Sequence, residues 1–225
     1  MRAYELTVAI FGFVLVVHAA GSSAPQEITV QIFNNANAPR WEVRRAEGEA
    51  GWMFQRAGIA VRWVECPPLM RERGGDQVCK ETDDPGLFVV SINAMDPPEQ
   101  SDTALGFALI QGRANHAAVV YPRIVAQTAH DSVYQDVCLL GSVMAHELAH
   151  LLFRSARHGE GIMRPKWSRG DYLAMAQRRL VFTASQAQTL RRMLATRRGS
   201  RVDPVDQHPL SHPVRSMFKF RWRVA

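Results

Sequence analysis

The chain has 225 residues, a length that suits one domain with appendages, and 47% of them are hydrophobic. Residues 191–225 hold nine Lys/Arg and two Asp, a net +7, whereas the other 190 residues hold eighteen Lys/Arg against nineteen Asp/Glu, a net −1. The overall charge of +6 therefore belongs to a basic tail, and the near-neutral body argues against a nucleic-acid-binding domain.

The N-terminal residues predict export. Arg2 precedes the apolar run 6–17, and small residues follow at 19–24, which is the layout of a signal peptide in residues 1–24. The run is short for a membrane span, which needs about 20 apolar residues. Glu5 and the single early positive charge keep an uncleaved N-terminal anchor as the alternative. We therefore expect a secreted, extracytoplasmic protein (periplasmic or extracellular) with no membrane insertion beyond this segment.

The body, residues 25–196, reads as strands first and helices last. Alternating polar and apolar residues predict strands at 27–33 and 59–65, and the segments 87–93, 105–111 and 117–121 also read as strands. Apolar residues at helical spacing, with start and stop signals, predict helices at 40–57, 124–130, 137–153, 169–180 and 184–196. This order predicts an α+β fold, a mixed β-sheet backed by helices with a helical C-terminal subdomain.

The last residues, 197–225, predict a disordered tail. They are basic, and Pro204, Pro209 and Pro213 interrupt any regular pattern. A basic tail of this kind is typical of a solvated extension. Separately, we expect the protein to be a monomer.

Two of the three cysteines predict a disulfide. Cys66 and Cys79 flank a loop rich in Pro, Gly and charge, and export implies an oxidising compartment in which cysteines pair. Cys138 is then left over on the apolar helix, where we expect a buried thiol that packs as a small hydrophobe.

The residues His146-Glu147-Leu148-Ala149-His150 indicate a metal site. A helix turns about 100° per residue, so His146 and His150 lie about 40° apart and Glu147 falls in the same arc. Two imidazoles so placed can bind one Zn²⁺, and the carboxylate can reach a water on that metal. The pattern is the H-E-x-x-H signature of zinc peptidases.

The helix that carries this motif predicts that its polar residues are buried. Residues 137–153 are apolar on nearly every side, which is typical of a buried helix. Burying a carboxylate and two imidazoles is costly unless they are paired or bound to a metal. Metal binding is therefore the favoured interpretation over a chance match.

A third protein ligand is expected after the helix, because a catalytic zinc usually has three protein ligands and a water. His158, Glu160 and Asp171 are the candidates. His116 and His130 have no ligand spacing and are expected at the surface, and Tyr121 is expected at the end of a strand.

Residues 146–165, HELAHLLFRSARHGEGIMRP, resemble the zincin zinc metallopeptidases of the metzincin type. The resemblance implies His158 as the third ligand and a methionine turn at Met163, and its Met-x-Pro arrangement is most similar to the matrixins. Two departures stand out. His158 follows His150 by eight residues where the metzincin pattern has six, and Phe153 replaces the glycine that bends the chain.

The resemblance implies a secreted zinc-dependent metalloendopeptidase acting on protein or peptide substrates. Glu147 would accept a proton from the attacking water and deliver it to the leaving amine. Strand 105–111 would be the edge against which an extended peptide pairs. The alternative is a non-catalytic, zinc-stabilised extracellular binding protein, which has no use for the carboxylate of Glu147. A third hypothesis is an extracellular module whose basic tail binds an acidic polymer or membrane.

Overall fold

A five-stranded mixed sheet forms the frame of the molecule. The structure, a computed structural model, describes residues 26–68, 79, 86–95, 103–110, 115–129 and 136–199. The strands are β1 (Gln26–Asn34), β2 (Ile59–Cys66), β3 (Leu87–Asn93), β4 (Gly106–Leu109) and β5 (His116–Val120). They are arranged in the order β2-β1-β3-β5-β4. All neighbouring pairs are parallel except β4 with β5, so an antiparallel strand lies at one edge.

Within the described ranges, five α-helices follow or separate the strands. They are α1 (Arg40–Arg56), α2 (Tyr121–Ala129), α3 (Asp136–Phe153), α4 (Arg169–Ala176) and α5 (Ala184–Gly199). A short 3-10 turn (Gly161–Met163) lies between α3 and α4. The prediction of a mixed sheet backed by helices is confirmed, and each predicted strand and helix has a counterpart.

The element boundaries differ from the predictions for local reasons. Helix α4 ends well before residue 180, because Arg178 adopts a left-handed φ of 53° that continues no helix. The N–H groups of Arg179 and Leu180 both turn back to Ala174 O. Tyr121 begins α2 rather than ending β5, and Pro122 is tolerated there because a first-turn N–H has no helical partner.

One face of the sheet packs against helices α1 and α3. Alternate residues of the central strands point into this core, as the pleat requires, and are buried: Ile28, Val30, Ile32, Phe88, Val90, Ile92, Ala117 and Val119. Helices α1 and α3 approach closely at Gly141, where a Cβ would lie 2.7 Å from Ala46 O and 2.8 Å from Glu49 Cβ. Helix α3 is therefore covered by the sheet on one side and by the neighbouring α1 on another.

The cysteine pairing is confirmed, since Cys66 and Cys79 form a disulfide with an S–S distance of 2.06 Å. Cys138 is free but only half-buried, and partial burial raises the pKa of its thiol. His116 is also half-buried rather than at the surface, with its Nε2 3.0 Å from Ser91 Oγ. None of the helices in the described ranges is long and apolar enough to cross a bilayer. Residues 1–24, His130 and residues 200–225 lie outside the described residues, and residues 197–199 of the predicted tail belong to helix α5.

Candidate metal centre

Helix α3 carries His146, Glu147 and His150 on one side, and all three side chains are buried, with 4 to 6% of their surface exposed. The loop that follows brings His158 to the two α3 histidines. One ligand nitrogen from each imidazole lies within 4.8 Å of the others. The structure therefore gathers three of the histidines singled out from the sequence into one cluster.

Backbone carbonyls orient the two imidazoles of α3. His146 Nδ1 lies 2.8 Å from Ile162 O, and His150 Nδ1 lies 2.7 Å from Ser155 O. A carbonyl only accepts hydrogen bonds, so we assign the Nδ1–H tautomer to both rings. Each Nε2 then carries a lone pair, and the two Nε2 atoms are 3.0 Å apart. A carbonyl on the far nitrogen is the usual support of a metal-ligating histidine.

This arrangement fits Zn²⁺. With Zn–N distances of about 2.0–2.1 Å, two ligands of a tetrahedral zinc are roughly 3.3 Å apart. The observed 3.0 Å between His146 Nε2 and His150 Nε2 is close to that separation. The ring of His158 completes the cluster, with its centroid 5.4 Å from that of His146 and 4.9 Å from that of His150.

All three imidazoles are held in the neutral form that binds metals. Burial lowers the pKa of His146 to about 3, against a smaller opposing effect of the Ile162 carbonyl. Burial also lowers the pKa of His150. Partial enclosure by the protein lowers the pKa of His158 as well, although this residue is exposed. A neutral imidazole presents a lone pair without first losing a proton, so metal binding here releases few protons.

Glu147 is the buried carboxyl of the cluster. Burial raises its pKa to about 8, because the charged form loses its hydration. It lies next to His146 in sequence and faces strand β4, since a Cβ on Gly106 would be 2.9 Å from Glu147 Cγ. The Glu147 side chain therefore faces the edge strand of the sheet from the helix that carries two of the clustered histidines.

The chain bends after α3 without the glycine of the metzincin pattern. Arg154 adopts a left-handed φ of 50°, and Ser155 N–H donates to His150 O. A non-glycine residue pays a modest steric cost for this conformation, roughly 1–2 kcal/mol. This turn directs the chain back towards the helix and allows His158 to reach the cluster through a longer loop.

The methionine singled out from the sequence lies under this loop. Met163 is buried in the 3-10 turn, and the preceding Ile162 supplies the carbonyl that faces His146. Gly161 begins the turn with a φ of 57°, and a Cβ there would clash with the backbone oxygen of Val181. Only glycine therefore fits at this position.

The other two candidate ligands lie outside the cluster. Glu160 is exposed, and its backbone carbonyl accepts a hydrogen bond from Gln186 Nε2. The carboxylate of Asp171 caps α4 through Ser168 and accepts a hydrogen bond of 2.9 Å from Arg164 Nη1. The Asp171 carboxylate is thus held by structural partners, and Glu160 is not among the residues of the three-histidine cluster.

Trp167 is a residue of the site that sequence reasoning missed. Its Nε1–H donates to Ile162 O at 3.3 Å, the same carbonyl that faces His146 Nδ1. Its ring meets that of His146 edge-on, with centroids 5.5 Å apart and an interplanar angle of 89°. Tyr172 packs behind it in a second edge-on contact. No local pattern marks Trp167, because only the fold of the loop brings it to His146.

Comparison with known proteins shows a likeness in fold. No protein-family model matches the sequence, and no match is found among curated proteins. The structure is similar to a zinc-dependent peptidase from Methanocorpusculum labreanum, with a TM-score of 0.50 and 16% identity, covering 72% of this chain and 99% of that one. An archaemetzincin from Methanopyrus kandleri matches with a TM-score of 0.48 and 14% identity, covering 78% and 99% of the two chains. The chain therefore has a mixed α/β fold similar to that of a zinc-dependent peptidase, with a three-histidine cluster that fits Zn²⁺.

Proposed function

We propose that this protein is a secreted zinc-dependent metalloendopeptidase of the metzincin type. The observation that carries the proposal is the convergence of His146, His150 and His158, with the buried Glu147 next to His146 on the same helix. A metal site that only stabilised the fold would be closed by a fourth ligand and would have no use for that carboxyl. The fold likeness to a zinc-dependent peptidase supports the same conclusion.

His146, His150 and His158 would hold the zinc through their ring nitrogens. Zinc bound there would lower the pKa of a water molecule and polarise a peptide carbonyl. The carbonyls of Ile162 and Ser155 keep the two α3 imidazoles in the tautomer that ligation needs. The matrixin-like methionine turn at Met163 belongs to this proposal as the packed support below the ligands.

Glu147 would be the general base and then the general acid. Its carboxylate accepts a proton from the attacking water and delivers that proton to the leaving amine. Burial favours the neutral carboxyl, whereas the charge of a Zn²⁺ ion held by the three histidines would favour the carboxylate. The same group can therefore take up a proton and release it near neutral pH.

Strand β4 would bind the substrate backbone. Val120 N–H donates to Leu105 O at 2.9 Å, and the register pairs Phe107 with Ala118. In an antiparallel ladder the peptide groups point alternately to the two sides, so those of Gly106 and Ala108 face away from β5. An extended peptide would pair with these groups along the edge.

The pairing proposal is tested by methylating single backbone nitrogens of a cleaved peptide. We expect an alternating pattern, in which methylation blocks cleavage at every second position near the scissile bond, because only alternate N–H groups face the edge strand. Uniform tolerance of methylation across these positions would contradict pairing along β4.

Metal removal tests the function itself. Chelation should abolish cleavage of an unstructured peptide substrate, and added Zn²⁺ should restore it, with one zinc per chain by metal analysis. The alternative function, a zinc-stabilised binding protein, predicts that chelation lowers the melting temperature while no peptide is cleaved at any zinc level. Cleavage that persists in the metal-free protein would overturn both.

Export is tested on the full chain. We propose that residues 1–24 are removed on secretion, and the disulfide between Cys66 and Cys79 is compatible with an oxidising compartment. The mass of the exported protein should correspond to loss of this segment. Retention of the full mass in a membrane fraction would support the N-terminal anchor instead.

A further inference from the structure

We infer that Gly106 is a positioning residue for Glu147, because its missing side chain gives the carboxyl its place beneath strand β4. The inference rests on the proposed peptidase function for its kinetic consequence. It concerns a residue that binds no metal and carries no reactive group.

The space at Gly106 is filled from three sides. A Cβ built there would lie 2.8 Å from Val143 Cγ1, 2.9 Å from Ala118 O and 2.9 Å from Glu147 Cγ. Carbon atoms in favourable contact are about 3.5–4.0 Å apart, so even a methyl group requires something to move. Any residue other than glycine at this position therefore displaces β4 or one of its neighbours.

The three neighbours differ in how easily they can move. Val143 is 1% exposed in the packed core, and Ala118 O belongs to the backbone of the central sheet. Glu147 has rotatable bonds beyond its Cβ and shares a face of α3 with Val143, one turn away. The Glu147 side chain is thus the neighbour that a methyl group would push aside most easily.

The backbone of Gly106 connects this contact to the proposed substrate edge. Its peptide groups face away from β5, while its Cα faces Glu147. A peptide paired at Gly106 would therefore run beside the residue whose Cα faces Glu147. One residue would set both the register of the substrate backbone and the place of the group that moves the proton.

Gly106→Ala tests the inference against Gly48→Ala as the matched control. Gly48 is exposed on α1, with nothing within 4 Å of the position of its Cβ. We expect Gly106→Ala to lower kcat by roughly 10- to 100-fold, since a displacement near 1 Å can cost about 100-fold. KM should change less than kcat, because the outward peptide groups remain. Zinc affinity should stay at the wild-type value, and Gly48→Ala should match the wild type throughout.

Wild-type kcat in a folded Gly106→Ala would overturn the inference. If that variant does not fold, Val143→Ala removes one of the three contacts and makes room. The double variant should then fold, bind one zinc and retain a lower kcat than Val143→Ala alone. Equal kcat values for these two proteins would also contradict the inference.

A second measurement is independent of catalysis. Glu147→Ala removes the Cγ that a new methyl at Gly106 would meet, so the loss of melting temperature caused by Gly106→Ala should be smaller in that background. Equal losses in the two backgrounds would show that the contact is not with Glu147. If the wild type cleaves no peptide, the proposed function fails, and this cycle still decides whether Gly106 positions Glu147.

Discussion

Two packed helices, α1 and α3, each carry a buried glutamate whose pKa is raised by burial. Glu47 on α1 is 8% exposed and Glu147 on α3 is 6% exposed. Burial raises the pKa of the first carboxyl to about 7 and of the second to about 8. By burial and proton affinity alone, the two residues are nearly equivalent.

The two glutamates differ in the residues that surround them. Glu147 lies on α3 next to the clustered His146, and its Cγ faces the edge strand at Gly106, whereas Glu47 lies near Glu65 and the arginines Arg40 and Arg44. Within the described part of the chain, Glu47 Oε1 has no hydrogen-bond partner. A perturbed carboxyl therefore identifies a catalytic candidate only when groups that can hold a reactant or metal converge on it.

The largest expected effect separates the two glutamates by activity. Glu147→Gln should lower kcat by up to about 10⁴-fold, because it removes the general acid–base group. Zinc content should remain at one per chain, since the three histidines are unchanged. Glu47→Gln serves as the control and should retain wild-type kcat. Equal losses in both variants, measured on the same peptide, would show that Glu147 has no special role.

A second substitution tests the third metal ligand, which distinguishes the surroundings of Glu147 from those of Glu47. His158→Ala should weaken zinc binding by more than about 100-fold, because outer partners of a ligand alone are worth 10- to 100-fold. Glu160→Ala is the control, since Glu160 lies outside the cluster. Isothermal titration with Zn²⁺ compares them. A larger loss in Glu160→Ala would make that residue the third ligand.

The third prediction concerns the pH dependence of stability at Glu47. Its pKa rises on folding from 4.5 to about 7, so between these values the folded protein binds more protons than the unfolded chain. The free energy of unfolding therefore falls as pH rises through this window. At about 1.4 kcal/mol per pKa unit, the loss approaches roughly 3 kcal/mol at pH 8.

Glu47→Gln removes this ionisation. Urea unfolding should show the variant to be more stable than the wild type at pH 8 and equal to it near pH 4.5. Glu65→Gln is the control of opposite sign, because the hydrogen bond from Arg44 lowers the pKa of Glu65. A stability difference that is the same at both pH values would contradict the assignment to Glu47.

The smallest expected effect belongs to Trp167. Trp167→Phe keeps an aromatic ring beside His146 but removes the N–H that donates to Ile162 O. We expect zinc affinity to fall by up to about tenfold, the lower end of the range for groups that orient a ligand. Trp41→Phe, at a tryptophan that is 61% exposed on α1, should leave the affinity unchanged. An unchanged affinity in Trp167→Phe would show that the Ile162 carbonyl orients His146 without help from the Trp167 N–H.

The parts of the site that were predictable from sequence are those set within one helix. The relative placement of His146, Glu147 and His150 follows from the turn of α3, and the burial of that helix follows from its composition. The pairing of Cys66 with Cys79 followed from the count of cysteines and the loop between them.

The parts that were not predictable depend on contacts between elements. The left-handed turn at Arg154 replaces an expected glycine, and nothing in the local sequence announces it. Trp167 reaches His146 only through the path of the loop, and Gly106 meets Glu147 only after β4 has joined the sheet. Glu47 carried no motif, because its burial is set by the packing of α1 on α3.

The close approach of α1 and α3 at Gly141 has a consequence for how the protein opens. Because Ala46 O lies so near the Gly141 backbone, we expect α1 and α3 to unfold as one unit. Amide protons of α3 should then exchange with solvent as slowly as global unfolding permits. The segment 154–168 is mostly exposed and should exchange much earlier. His158 can therefore leave and rejoin the cluster during local opening, and zinc can be acquired or lost while the α3 histidines stay folded.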